Sequence, residues 1–171
     1  QGLFGADFRA SERLAQQIVQ VAGRAGRGDR PGEVLIQSAY PEHPLLQCLI
    51  REGYDGFAAR GLEERRAAGW PPYSHLALLR ADAPARAEVH AFLKAALAAA
   101  PSARPPGLRI LGPAPAAMER RAGRHRAQLL IESPARTRLQ RFLAGWLPEI
   151  SKLRAPRALR WSVDVDPIEI D

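Results

Sequence analysis

The residues best suited to chemistry lie in Gln20-Val-Ala-Gly-Arg-Ala-Gly-Arg-Gly28. Arg24 and Arg27 each follow a glycine, and Gln20 stands four residues before Arg24. A guanidinium is a permanently charged planar fork that matches phosphate oxygens. Glycine lets the backbone turn sharply and a ligand come close. The glycine spacing is G-x-x-G-x-G, which is neither the dinucleotide fingerprint nor a G-x-x-x-x-G-K-[ST] phosphate loop. This turn therefore does not cradle a nucleotide by itself. Its arginines suit the work of fingers, which reach phosphates held on another surface and stabilise charge as a γ-phosphate leaves. The same residues also read as an arginine-rich turn facing solvent or a helix C-terminus.

Three other groups carry charge in a pattern. Arg120, Arg121, Arg124 and Arg126 crowd a turn with Gly123 at its tip. Such a flexible basic hairpin can follow a phosphate backbone, or can simply be a solvated loop. Its only ring is His125, so base stacking is not indicated there. Arg136 and Arg138 follow Pro134 at the start of a predicted helix, where an anion is favoured; they also read as surface residues of an amphipathic helix. Asp164, Asp166, Glu169 and Asp171 close the chain and read as a solvated edge or as partners for arginines. The histidines at 43, 75, 90 and 125 include no i, i+4 pair, and Cys48 is the only cysteine. Neither a disulfide nor a metal site is expected.

The composition agrees with an anionic partner. The 171 residues hold 25 Lys+Arg against 18 Asp+Glu, for a formal charge of +7. Lys94 and Lys152 are the only lysines, so the positive charge is almost all arginine. Such a balance favours nucleic acid, although an arginine- and alanine-rich proteome gives the same ratio. The single cysteine fits a reducing, cytosolic setting. The start lacks a basic region followed by an apolar one, and the apolar runs are shorter than a membrane span. Because Gln1 opens directly on sequence that reads as folded, a fragment of a longer protein is expected.

The elements that must position these residues come from periodicity. Residues 11–22 carry a helical stripe of Leu14, Ala15, Ile18, Val21 and Ala22, with Asp7 or Ser11 as N-cap and Gly23 at the C-terminal end. A buried strand is expected over Gly32–Ser38. Two short helices over 42–68 are expected, with stripes Leu45, Leu46, Leu49, Ile50 and Tyr54, Phe57, Ala58, Leu62, broken at Gly53. Gly69-Trp70-Pro71-Pro72 is a hard stop. Beyond it come strands Ser74–Ala81, Leu108–Leu111, His125–Glu132 and Leu159–Val165, with helices Arg86–Ala100 and Arg136–Leu147. Trp70, Trp146 and Trp161 read as core or interdomain packing. The order βαββαβ is the split-βαβ, ferredoxin-like pattern, an antiparallel sheet with two helices on one face. The expected organisation is the end of an α/β RecA-like lobe over 1–40, a helical connector over 41–72, and an α+β ferredoxin-like domain over 73–171.

Gln20-x-x-Gly-Arg-x-x-Arg27 resembles motif VI of superfamily 2 helicases. Together with Asp7-Phe-Arg9, Gly32-Glu-Val-Leu-Ile-Gln37, Pro41-Glu-His-Pro-Leu-Leu-Gln47, Gly53-Tyr-Asp-x-Phe57, Leu111-Gly-Pro-x-Pro-Ala116 and Asp164-Val-Asp-Pro-Ile-Glu169, it resembles the PriA family of primosomal replication-restart helicases, in order and over nearly the whole chain. The resemblance implies an ATP-dependent 3′–5′ DNA helicase that recognises stalled forks and D-loops and helps assemble the primosome. It implies that Gln20, Arg24 and Arg27 meet the triphosphate of ATP bound on the first lobe, with Arg27 the finger. Arg120, Arg121, Arg124 and Arg126 would bind branched or single-stranded DNA. Arg136 resembles the arginine that holds the acidic tail of single-stranded DNA-binding protein. ATP and Mg²⁺ are implied for the whole protein, and zinc only upstream of Gln1. Other primosome proteins are implied partners, membranes are not, and the location implied is cytoplasmic, at the nucleoid. This stretch alone is then expected to be inactive. The alternative is a non-enzymatic basic module that binds nucleic acid or an acidic tail.

Overall fold

Alternation of side chains in residues 75–83 dictates the largest piece of structure. In a computed structural model, which describes residues 9–25, 33–168 and 170, the chain divides into two compact units with the boundary after Trp70. In the C-terminal unit the elements run β1 (His75–Ala83), α3 (Arg86–Ala98), β2 (Arg109–Arg121), β3 (Arg124–Ser133), α4 (Arg136–Ser151) and β4 (Arg160–Val165). The preceding unit holds α1 (Ala10–Ala22) and α2 (Pro44–Ala68).

The strands form one four-stranded sheet in the order β2-β3-β1-β4, and every pairing is antiparallel. The first and last strands are therefore neighbours. Ala77, Leu79, Ala81 and Ala83 of β1 and Ala127, Leu129 and Ile131 of β3 form one face of the sheet, as period-2 geometry requires, and they share a buried core with residues of α3 and α4. Val89, Phe92, Leu93 and Ala96 come from α3; Leu139, Phe142, Leu143, Trp146 and Ile150 come from α4. Trp146 is fully buried, and its indole N–H donates to the Ala96 carbonyl at 2.8 Å, which joins the helices through a satisfied polar group.

The opposite face is divided along its length. Leu76, Leu78 and Leu130 are buried at one end. There the chain leaving β4 reverses at Asp166 (φ 54), whose N–H donates to the Leu76 carbonyl at 2.9 Å. Gln128, 1% exposed, donates from Nε2 to the Ile170 carbonyl at 2.7 Å. The other end of this face carries Arg80, Asp82, Arg126, Arg160 and Ser162, which cross-strand pairing places together.

Several boundaries differ from those read in the sequence. Strand β2 does not end at Leu111. It continues to Arg121 through Gly112-Pro113-Ala114-Pro115, with shifts of register between Leu111 and Ala114 and between Pro115 and Arg120. Proline cannot donate to a ladder, so it is tolerated here because β2 is an edge strand with irregular register. Gly112 is needed in that bend: its φ is 109, and a Cβ would stand 2.8 Å from the Gln128 carbonyl oxygen. Helix α4 runs past Leu147 and contains Pro148. The basic turn is short. Strands reach Arg121 and Arg124, leaving Ala122 (φ 49) and Gly123 (φ 76) as a two-residue connection whose two positive φ values fit a type I′ turn.

In the N-terminal unit, α1 and α2 pack through buried Ala15, Leu49 and Phe57, with Ile18, Leu45 and Tyr54 beside them. Glu12 pairs with Arg65 at 2.6 Å. Gly53 (φ 73, ψ −167) kinks α2 into two helical segments. The expected stripes are incomplete, because Ile50 and Leu62 are exposed. The N-cap of α1 is Arg9, without a side-chain cap, and Ser11 lies inside the helix; Asp7 is outside the described residues. Gly23 has φ −67 and ends the helix without entering the left-handed region. The buried strand expected over Gly32–Ser38 is not formed: residues 33–38 are irregular and Leu35 is 89% exposed. A strand needs a neighbour for its backbone groups, and no described segment pairs with this one.

One side chain bolts the hairpin end of the sheet. Arg124 donates from Nε to Asp82 Oδ1 and from Nη2 to the carbonyls of Asp82, at 3.0 Å, and Ala158. It thereby joins β3, β1 and the approach to β4. Arg124→Ala is expected to destabilise the C-terminal unit by about 2 kcal/mol, since charge-assisted hydrogen bonds are lost, whereas exposed Arg121→Ala changes stability by less than about 0.5 kcal/mol; urea denaturation followed by tryptophan fluorescence separates the two. Ala122→Asn supplies a residue that tolerates the left-handed turn and is expected to stabilise by about 0.5–1 kcal/mol. A lower denaturation midpoint for Ala122→Asn would show that the turn is not of type I′.

Candidate nucleic-acid interface

The sequence singled out arginines in three places, spread over both units, and each unit is described in turn. Gln20 lies in the last turn of α1 and Arg24 in the turn that follows; both are exposed. The Arg24 backbone N–H donates to the Val21 carbonyl at 3.0 Å, which fixes the turn while leaving the guanidinium outside it. Arg27 is outside the described residues. The described part of the turn thus presents an amide and a guanidinium from the C-terminal end of one helix.

The hairpin arginines do not act as one group. Arg120 pairs across the ladder with His125, which alternates with the core-facing Ala127, so Arg120 belongs to the helix-covered face. Arg121 stands opposite Arg124, and Arg126 follows two residues on, so these three belong to the other face. Like charges directly opposite each other are unfavourable. The Arg121–Arg124 opposition is relieved because Arg124 turns to Asp82 and the Ala158 carbonyl. Arg124 is thus engaged within the fold, while Arg121 is exposed.

Arg126 is half-buried and lies opposite Asp82, and Asp82 in turn lies opposite Arg160 on β4. A row Arg126–Asp82–Arg160 therefore crosses three strands on one face. The next row is Gln128–Arg80–Ser162. Arg80 Nη1 pairs with Asp164 at 3.1 Å. The residues of the two rows, with Ala116 and Trp161, line a shallow cavity of about 250 Å³.

Arg80 and Arg160 were not singled out in the sequence. Their signal is the alternation Arg80-Ala-Asp82-Ala in β1 and Arg160-Trp-Ser162-Val-Asp164 in β4. That alternation gives the face of each strand but not its neighbours, which required the strand order.

Arg136 begins α4, is exposed, and pairs with Asp166 at 3.4 Å. Arg138 donates from Nη1 to the Pro106 carbonyl at 3.0 Å and holds the loop before β2. Asp164 and Asp166 are both partners of arginines. Glu169 and Asp171 lie outside the described residues. Among the described residues no group of three or more His, Cys, Asp or Glu side chains could hold a metal ion. No helix among them is long and apolar enough to cross a membrane.

Comparison with known proteins adds a family to this geometry. The model of the primosomal protein N C-terminal domain matches residues 66–168. The replication restart protein PriA of Haemophilus influenzae is 42% identical over 168 residues, covering 98% of this chain and 23% of that protein. The replication restart protein PriA of Synechocystis is 40% identical over 167 residues, covering 97% of this chain and 19% of that protein. The protein of the same name in Bacillus subtilis is 33% identical over 168 residues, covering 94% of this chain and 20% of that protein. The chain thus spans about a fifth to a quarter of the length of these curated relatives. With the family model covering the whole sheet and both of its helices, the chain belongs to the PriA replication-restart family.

Proposed function

We propose that this chain is the C-terminal part of an ATP-dependent 3′–5′ DNA helicase that recognises stalled forks and D-loops and restarts replication through primosome assembly. The observation that carries the reading is the similarity, over nearly the whole chain, to relatives named replication restart protein PriA. It is supported locally by the exposure of Gln20 and Arg24 at the end of α1, where phosphates bound on another surface could reach them.

In this reading α1 and the segment after it end a RecA-like lobe. The exposed apolar residues Leu14, Val21, Leu35 and Tyr40 fit a helix and a segment that further layers cover. The C-terminal unit has the βαββαβ order and the strand order β2-β3-β1-β4, which support a ferredoxin-like arrangement. Gln20, Arg24 and Arg27 would contact ATP, with Arg27 stabilising charge on the departing phosphoryl group. ATP and Mg²⁺ belong to the whole protein in this reading. The sequence here has no phosphate-loop lysine, and its described carboxylates are not grouped for a metal ion, so these residues supply the fingers alone. Zinc would likewise belong to other parts of the protein.

The C-terminal unit would bind branched or single-stranded DNA through the hairpin arginines. It would also bind the acidic tail of single-stranded DNA-binding protein through Arg136. The exposed Arg136–Asp166 pair is worth about 0–1 kcal/mol at most, so an external carboxylate can displace it. Other primosome proteins would complete the assembly.

Two experiments test this. The purified 171-residue chain is expected to show no ATP hydrolysis, while in a full-length protein Arg27→Ala lowers turnover by about 10³–10⁵, the range for an arginine finger. ATP hydrolysis by the 171-residue chain that vanished with Arg27→Ala would contradict the division of labour. In the second, Arg136→Ala is expected to weaken an acidic tail peptide about tenfold, as for loss of one charge-assisted contact, and Asp166→Asn to strengthen it by freeing Arg136. Calorimetric titration showing equal affinity for all three proteins would remove Arg136 from the tail site.

A further inference from the structure

We propose that the end of the sheet face not covered by helices, around Arg126 and Arg160, is a phosphate-binding site for the sugar-phosphate backbone of DNA, and that it grips the strand without reading bases. The inference rests on the nucleic-acid role proposed above for the C-terminal unit. It narrows that role from four hairpin arginines to one face of the sheet, and it adds a residue from the last strand.

The charge balance of the face identifies the active pair. Its arginines here are Arg80, Arg124, Arg126 and Arg160. Arg80 is matched by Asp164 and Arg124 by Asp82. Arg126 and Arg160 have no ion pair among the described residues and flank Asp82 on either side. Adjacent strands lie about 4.8 Å apart, so these two backbones are about 10 Å from each other. Long guanidinium side chains from both can converge over the cavity between them. Asp82 does not neutralise them, because its carboxylate is already held by Arg124. Among the described residues, two positive charges are left over at a shallow, open site.

The surroundings select the ligand. Leu76, Leu78 and Leu130, the large apolar residues of this face on β1 and β3, are all 3% exposed or less. They offer no exposed anchor for an acidic-apolar peptide tail. None of the residues that cross-strand pairing places on this face, from Leu76 to Asp82, Arg124 to Glu132 and Arg160 to Asp164, is aromatic. Trp161 also lines the cavity, but it alternates onto the helix-covered face and its ring packs near Phe92, so this face offers no ring for base stacking, the usual source of affinity on an open sheet of this kind. Permanent guanidinium charge without stacking is a means of holding phosphates and not bases. Arg121, exposed on the same face, extends the basic track toward the hairpin. Arg120 belongs to the other face and lies outside this site.

The test is the salt dependence of DNA binding by the 171-residue chain. Fluorescence anisotropy with a forked DNA is expected to give a log K against log[salt] slope that falls by about 1.5–2 in Arg126→Ala/Arg160→Ala, since each lost phosphate contact on duplex removes about 0.9. Arg160→Ala alone, at an exposed position, should lose about half of this while its urea midpoint stays unchanged. Arg160→Lys should retain most of it, and Arg141→Ala, at an exposed arginine of α4 over the other face of the sheet, should behave as the parent. Replacing the sequence of the fork arms should change no affinity by more than about twofold. If the parent chain binds the fork and the double variant keeps its slope, the site is wrong while the nucleic-acid reading stands. If the parent chain binds no DNA at 50 mM salt, both fail. If the arginine pair instead proves necessary for an acidic peptide and not for DNA, the phosphate assignment is overturned.

Discussion

A single carboxylate at the end of β1 sets the electrostatics of one end of the sheet. Asp82 stands opposite Arg126 on one side and Arg160 on the other, and it receives Arg124 from the hairpin. Three guanidinium groups around one carboxylate leave positive charge in excess. In water that excess costs little, because solvent screens it; at the half-buried end of a sheet it is a standing attraction for an anion. The fold tolerates the repulsion because Arg124 is also tied to two backbone carbonyls, so the hairpin is held by hydrogen bonds in addition to charge.

Around that end the two faces of the sheet have different occupations. One is covered by α3 and α4, whose apolar residues interlock with alternate residues of β1 and β3. The other is closed at the Leu76 end by the chain returning after β4 and left open at the Asp82 end. The helix-covered core makes the unit rigid enough to hold long arginine side chains at fixed roots. Trp146 contributes to that rigidity, since it fills the space between the helices and still satisfies its indole N–H. The position of every residue of the proposed interface then follows from strand register.

Much of this was legible in the sequence, and the reasons for the misses are specific. Helices α1, α3 and α4 carry 3.6-residue stripes, β4 alternates, and β1 and β3 hold short apolar runs of strand length, so their types followed from periodicity and run length. The far end of β2 did not, because Gly112, Pro113 and Pro115 are local stop signals that an edge strand can override. Val34, Leu35 and Ile36 have strong strand character, but a strand is a property of a pair, and residues 33–38 have no partner among the described ones. At the interface, the basic hairpin was visible as composition. Its division into Arg120 on one face and Arg121, Arg124 and Arg126 on the other depends on a two-residue turn whose length composition does not reveal. Arg160 is 34 residues from Arg126 in the chain, and only the placement of β4 beside β1 brings them to one row.

The two outer strands have a consequence for the unit as a neighbour of other proteins. A sheet with open edges can recruit a strand from another chain, and prolonged recruitment leads to aggregation. Here one outer strand, β2, contains Pro113 and Pro115 and two slips of register, which remove donors and break the flat run of carbonyls. The other, β4, is only six residues long and carries Arg160 and Asp164. Both rims are thereby poor templates. The sheet can thereby be presented openly without copies of the chain zippering together.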